Sequence, residues 1–211
     1  MVVSETTNTL SVIDIDLNYK KGHTLLENNT PTEDRSLYRI GSFYVAIMEI
    51  TDLGSENIRQ LITKFRAFSP DVLVQGMDAS VVFGVNHLIR VLQLTVELWK
   101  RGIKISKTME TDFLMRLCCT SQISKAIEVG GLKNDRAACF ILMSEDLHSL
   151  LKIKKNIKGY YDEKHASVLR TGKNKMARLC SEFGITPRKM DRLFFENYLV
   201  EKAALVKFQS K

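Results

Sequence analysis

Apolar residues along this chain follow two spacings, and the spacing of each stretch predicts the local element. Residues 43–50 (FYVAIMEI) are β-branched, aromatic and largely apolar, which predicts a central strand. Residues 71–77 (DVLVQGM) and 137–143 (AACFILM) are nearly continuous apolar runs, and they predict two more buried strands. A weaker alternation over residues 10–17 predicts an edge strand.

Helical spacing fills the intervals between these strands. Ile58, Leu61 and Phe65 recur at the helical period, and Pro70 ends their segment. A longer apolar stripe stops at Gly102, a residue type that commonly ends helices. The predicted helices cover about residues 52–68, 80–100, 110–118, 121–129 and 174–183, and a last helix starts with Thr186 as N-cap and Pro187.

Strands interleaved with helices predict an α/β (α+β) fold, with a small mixed sheet packed against helices and a basic helical segment at the C-terminal end. The predicted organisation has four parts. Residues 1–37 form a poorly ordered extension, and residues 38–150 form the α/β domain. Residues 151–172 form a basic loop, and residues 173–211 form a helical segment that packs on the domain.

Charge is distributed unevenly along the chain, whose formal net charge is +7. Residues 1–146 carry 16 Lys and Arg against 18 Asp and Glu, whereas residues 147–211 carry 15 against 6. A basic segment after a nearly neutral body favours contact with a polyanion such as RNA or DNA. A solubilising tail, or a docking face for an acidic protein, is the alternative interpretation.

The four cysteines have no metal-ligand spacing, and we predict free thiols in a reducing compartment. They are Cys118, Cys119, Cys139 and Cys180. We predict no metal site, no cofactor and no catalytic residue, because no spaced set of nucleophile, base and carboxylate is visible. Neither a secretory segment nor an apolar run long enough to cross a membrane is predicted.

A basic cluster follows the long predicted helix: Lys100, Arg101, Lys104 and Lys107 lie within eight residues. Together with Arg116, these side chains could hold the phosphates of a single strand while a neighbouring apolar residue covers a base. A solvated run of charges is the alternative.

His87 lies one turn into the long predicted helix. One hypothesis makes it a polar contact for a ligand beside the basic cluster. The other makes it a helix-start histidine bonded to a backbone carbonyl.

A short apolar stripe lies near a chain reversal and contains Ile123, Ala126, Ile127 and Leu132. It is either core or an exposed docking surface for a partner.

Residues 179–193 have the order of a helix-turn-helix, with Gly184 in the turn and Arg188, Lys189 and Arg192 on a face that could enter a DNA groove. A plain helical hairpin has the same order. The DNA-binding hypothesis predicts tight binding to specific duplex DNA.

The order of features from residue 78 to residue 143 resembles the kinase-binding subunit of the KEOPS complex, the PRPK-binding protein family, in its archaeal type. The resemblance covers about residues 43–143. It rests on Asp78-Ala79, Gly84, His87-Leu88, Gly102, the 104–107 loop, Glu110, the run QISKAIEVGG at 122–131, and the strand at 137–143.

This resemblance implies a non-catalytic subunit that binds a small atypical kinase/ATPase and, in archaeal members, the single-stranded CCA end of tRNA. The assembly it joins places threonylcarbamoyl on an adenosine beside the anticodon, so tRNA and the other subunits are the expected partners. The cytoplasm is the expected location, or also the nucleus in a eukaryote.

The candidate residues divide between the two expected partners. For tRNA they are His87, Lys104, Lys107 and Arg116, and for the kinase they are Ile123, Ile127 and Leu132. Two alternatives stay open: a DNA-binding regulator that uses residues 179–193, and a small enzyme with His87 or Cys119 as the reactive group. The enzyme predicts an accessible thiol of lowered pKa or a deep pocket with convergent polar groups.

Overall fold

The computed structural model describes residues 13–14, 37–51, 58–158, 168–186 and 190–208, with the backbone alone at 13–14, 58–59 and 158. Within these ranges five strands form one sheet in the order β1-β2-β3-β5-β4. The strands are β1 Ile13–Asp14, β2 Leu37–Ile40, β3 Phe43–Ile50, β4 Leu73–Asp78 and β5 Ala138–Ser144. β1 pairs parallel with β2, and the other pairs are antiparallel, so the sheet is mixed.

Seven α-helices lie in the described ranges. They are α1 Ile58–Phe68, α2 Val85–Lys100, α3 Met109–Leu117, α4 Ile123–Gly130, α5 Leu147–Lys158, α6 Lys173–Glu182 and α7 Arg192–Leu205. Two 3-10 turns accompany them, Ala79–Val81 before α2 and Val206–Phe208 after α7. The α/β class predicted from the sequence is confirmed.

Helices cover both faces of the sheet. In β3, Val45 and Ile47 face a cluster that includes α2, α3, α4, α6 and α7, whereas Ala46 and Met48 face a cluster that includes α1 and α5. β5 alternates in the same way, and all of its residues are buried. Burial on both faces is the reason why these strands are continuous apolar runs rather than alternating ones.

Aromatic pairs hold each layer to its neighbours. On the α1/α5 side, Phe65 and Phe140 meet edge to face with ring centroids 5.3 Å apart. On the other side, Phe83 and Phe195 do the same at 4.9 Å, which ties α7 to the segment before α2. Edge-to-face contacts of this kind stabilise a core beyond the area that they bury.

Three predicted boundaries are wrong, each because of local chemistry. The long helix begins at Val85 rather than near residue 80, because Gly84 adopts a φ of 95° that interrupts it. The predicted basic loop does not begin at residue 151, because α5, a helix that was not predicted, continues to Lys158 and is anchored by buried Ile153 and Ile157. α7 begins at Arg192 rather than after Thr186, since the Asp191 side chain caps it by accepting from the Phe194 N–H.

The predicted N-terminal extension falls mostly outside the described residues. Its described part, Ile13–Asp14, lies within the predicted edge strand and pairs with Tyr38 and Arg39 of β2. Across the described ranges, no helix combines the length and the apolar character that crossing a membrane requires.

Candidate nucleic-acid and partner-binding site

The end of α2 positions the start of the basic loop. Gly102 has a φ of 73°, in the left-handed region, and its N–H donates to the Trp99 carbonyl at 3.1 Å. The next N–H, of Ile103, reaches back to the Leu98 carbonyl at 2.8 Å. These two bonds form a Schellman motif, which turns the chain sharply at the end of a helix.

Lys104 and Lys107 are both exposed on this loop. The Lys104 ammonium lies 4.3 Å from the centroid of the Trp99 ring, a cation–π contact that restrains the side chain. Arg101 instead pairs with Glu97 of the same helix at 2.6 Å, so its charge is partly compensated. The loop therefore presents Lys104 and Lys107 as its exposed cations.

Arg116 is fully buried, so the prediction that it contacts tRNA phosphates is wrong for this structure. Its Nε donates to Asp112 Oδ1 at 2.6 Å. Its Nη2 donates to the Ile103 carbonyl at 3.0 Å, and its Nη1 donates to the Ala203 carbonyl at 3.3 Å. A buried guanidinium needs such compensation, and here one side chain links α3, the basic loop and α7.

Asp112 completes this network, which we call the Arg116 clamp (Asp112 and Arg116 with the backbone groups that they bind). The second carboxylate oxygen of Asp112 accepts from the Ile105 N–H at 2.7 Å. Both Ile103 and Ile105, on either side of Lys104, are thus held by the clamp. Arg116 acts through the loop rather than at its surface.

His87 is also fully buried, which corrects its prediction as a ligand contact. Its Nδ1 accepts a hydrogen bond from the Phe83 N–H at 3.1 Å. The histidine was expected to bind a backbone carbonyl, and it binds a backbone N–H instead. Burial, together with the charges of Arg90 and Lys175, lowers the pKa of His87 to about 3. The ring is therefore neutral, and its Nε2 has no hydrogen-bond partner in the described structure.

Helix α4 presents an apolar pair to solvent. Ile123 is 47% exposed and Ile127 is 57% exposed, and their spacing of four residues stacks them on one face. On the opposite face Ala126 and Val129 are buried in the core. The pair therefore forms a small exposed apolar surface, which we call the α4 pair.

Leu132 lies apart from the α4 pair, so the predicted single stripe is corrected. It is half-buried and packs with the cluster on the α1/α5 side of the sheet. A Cβ added at Gly76 would lie 2.7 Å from a Leu132 methyl, which indicates that this leucine lies directly over β4. Leu132 contributes to packing rather than to the exposed α4 surface.

The C-terminal helices do not have the spacing of a helix-turn-helix. α6 ends at Glu182 and α7 begins at Arg192, whereas that motif joins its helices by a turn of roughly three or four residues. Arg188 and Lys189 lie outside the described residues. The first turn of α7 exposes Arg192 together with the apolar Leu193 and Phe194.

The features expected of the alternative enzyme differ from those observed. Burial raises the pKa of the Cys119 thiol to about 12, the opposite of an activated nucleophile. A pocket beside β4 and α3 is lined mainly by apolar side chains such as Leu73 and Phe113, with Gln75 and Glu110 at its polar positions. All four cysteines are free thiols, and the described part of the chain holds no cluster of metal-ligating side chains.

Sequence reasoning missed several residues at these surfaces. Asp112 lies four residues before Arg116, the spacing of a helical ion pair, and this signal could have identified the clamp. The cation–π contact between Lys104 and Trp99, five residues earlier, had no indication in the sequence. Phe208, which is 72% exposed, follows α7 and was not among the candidate residues.

No family model matches this sequence, and no curated protein is significantly similar to it.

Proposed function

We propose that this chain is a non-catalytic subunit of a KEOPS-like assembly for the threonylcarbamoyl modification of tRNA. In this proposal it binds the small kinase/ATPase subunit and the single-stranded CCA end of tRNA, and catalysis belongs to its partners. The observation that carries the proposal is a loop that exposes Lys104 and Lys107 and a different element, α4, that exposes Ile123 and Ile127. One chain then has one surface for a polyanion and another for a protein.

The loop has properties that suit a single-stranded RNA end. Lys104 and Lys107 supply positive charge for phosphates, whose neutralisation makes binding dependent on salt. The Arg116 clamp fixes the backbone around Lys104, so little conformational entropy is lost on binding. The Arg116 clamp itself adds no exposed charge.

The α4 pair has properties that suit the docking of a protein partner. Two isoleucines one helical turn apart form a small exposed apolar face, and short apolar faces of this kind can receive helices or strands. Their helix is firmly seated, because Ala126 and Val129 are buried beneath it. The face is therefore preformed for docking.

The RNA-binding part is tested with three probes at one fixed salt concentration: intact tRNA, the same tRNA without its CCA end, and duplex DNA of equal length. The expected result is a clear preference for intact tRNA. The double change Lys104→Glu and Lys107→Glu should weaken it at least tenfold, since each reversal replaces an attraction by a repulsion. Trp99 is the one tryptophan of the sequence, so its fluorescence reports directly on the Lys104 region.

A matched control reverses charge elsewhere on the surface. Lys125→Glu lies on α4 and is exposed, and it should leave the preference for intact tRNA unchanged. Equal binding of all three probes, with no effect of the Lys104 and Lys107 changes, would contradict the proposed RNA site.

The protein-binding part is tested by co-purification with a kinase/ATPase subunit of a KEOPS complex. Ile123→Asp with Ile127→Asp should abolish capture, because the changes place two charges in an apolar interface. Ser124→Asp, exposed on the same helix, is the control and should retain capture. Retained capture by the double variant would exclude the α4 pair as the docking face.

A further inference from the structure

The 3-10 turn Val206–Phe208 presents an aromatic side chain to solvent. Phe208 is 72% exposed, the highest value among the large apolar side chains of the described residues. Val206, two residues earlier, is fully buried and anchors the turn to the core. The backbone is thus fixed while the ring stands in solvent.

The Arg116 clamp links the end of α7, from which this turn continues, to the basic loop. One guanidinium binds the carbonyl of Ile103, beside Lys104, and the carbonyl of Ala203, near the end of α7. Phe208 lies five residues beyond Ala203, which places it roughly 8 to 9 Å further along the axis. The exposed ring thus extends from the end of α7, which shares one guanidinium with the loop that carries the exposed lysines.

From this arrangement we propose that Phe208 is a base-stacking residue for the RNA single strand whose phosphates Lys104 and Lys107 bind. The inference rests on the proposed function and extends it to the C-terminal turn. An exposed ring beside cations is the combination by which proteins hold single strands, because every base has a face that can stack. A nucleic acid is favoured over an apolar partner because Lys104 and Lys107 of the loop attract phosphates.

Other side chains share the exposed face of α7. Leu205 and Phe194 lie on it, and Glu201, also exposed, adds one negative charge between them. Phe194 lies roughly 20 Å from Phe208 along the axis. It offers a matched control, an exposed phenylalanine on the same helix face at a distance from the basic loop.

The test measures the affinity of a labelled single-stranded RNA ending in CCA for the full chain over a range of salt concentrations. Phe208→Leu keeps an apolar side chain but removes the ring, and it should weaken binding about 5-fold to 100-fold. Phe208→Trp should retain the affinity, and its fluorescence should be quenched on binding by more than that of the unmodified chain, in which Trp99 is the one tryptophan. Phe194→Leu should bind like the unmodified chain.

Salt dependence separates stacking from charge. Phe208→Leu should leave the slope of log affinity against log salt unchanged, because it removes no phosphate contact. Lys104→Gln should reduce that slope by about 0.7 for a single strand. A slope change in Phe208→Leu would contradict a stacking role.

The outcomes distinguish this inference from the function on which it rests. If the unmodified chain fails to bind the RNA, or if the Lys104 and Lys107 changes have no effect, the proposed RNA function fails. If those changes weaken binding but Phe208→Leu does not, the function stands and the stacking role is overturned. If Phe208→Leu and Phe194→Leu instead both reduce self-association or kinase capture without affecting RNA, the face is a protein interface and the inference is wrong.

Discussion

The two helical layers that cover the sheet differ in what they bury. The layer of α1 and α5 meets the sheet through a mostly apolar cluster centred on Phe65 and Phe140, with Lys154 of α5 as its buried charged side chain. The five-helix layer of α2, α3, α4, α6 and α7 has an apolar core too, but it also encloses His87, Asp112 and Arg116. Every surface proposed above for binding belongs to the five-helix layer.

This difference indicates how the candidate surfaces are built. An apolar cluster holds elements together without specifying the orientation of a loop, since apolar contacts are not directional. The Arg116 clamp binds three backbone groups at defined angles and so fixes both the basic loop and the end of α7. Buried polar groups in one layer thus orient the exposed residues of that layer.

The largest expected effect is the loss of the clamp. Arg116→Ala leaves Asp112 buried without its cation, and it should lower the free energy of unfolding by about 3 to 5 kcal/mol. Urea denaturation measures the loss. The paired change Arg116→Met with Asp112→Leu should lower the free energy of unfolding by less than the two single changes do in sum. If the two losses of unfolding free energy simply added, the residues would not be a coupled pair.

A smaller effect concerns the pH dependence contributed by His87. Its folded pKa of about 3 lies below the ordinary value of 6.5, so the unfolded state binds the proton more readily. This contribution to stability is present above pH 6.5 and is lost as the pH falls from there towards 3. His87→Asn keeps an acceptor for the Phe83 N–H but does not titrate.

Between pH 7 and pH 4.5 the variant should lose roughly 2 kcal/mol less unfolding free energy than the unmodified chain. Urea denaturation at both pH values measures it, and carboxylates that titrate in both proteins cancel in the comparison. Parallel pH profiles would mean that His87 gains a proton within the folded protein.

The smallest effect is expected in the α1/α5 layer. Phe65→Leu should lower the free energy of unfolding by about 1 to 2 kcal/mol, less than the roughly 3 to 5 kcal/mol of truncation to Ala. It should leave RNA affinity unchanged at temperatures where the variant is folded. If RNA affinity fell as much as it does with the Lys104 and Lys107 changes, the conclusion that RNA binding belongs to the five-helix layer would be wrong.

Much of the element pattern could be predicted from the sequence. The strand predicted at residues 43–50 matches β3, because burial on both faces leaves a continuous apolar run. Helix α5 was missed although Leu150, Ile153 and Ile157 have helical spacing, because lysines between them suggested a loop. The apolar positions were the better guide, since lysines are tolerated on any exposed helix face.

The candidate site was predicted less well, and for a definable reason. Lys104 and Lys107 are exposed as expected, whereas His87 and Arg116 are in the core. A cation in a sequence is assumed to face solvent because burial is costly, and the exception requires a partner that compensates it. For Arg116 one such partner is the Ala203 carbonyl, 87 residues away along the chain.

The sequence by itself determined where four of the five described strands and most of the described helices lie, and that the chain folds as a mixed α/β protein, but it did not predict β2. These properties depend on the spacing of neighbouring apolar residues, which is local information. Only the tertiary structure decided which polar side chains are buried, and that one buried guanidinium links the basic loop to the end of α7. Those relations arise from contacts between segments distant in sequence, and the local spacing of apolar residues does not indicate such contacts.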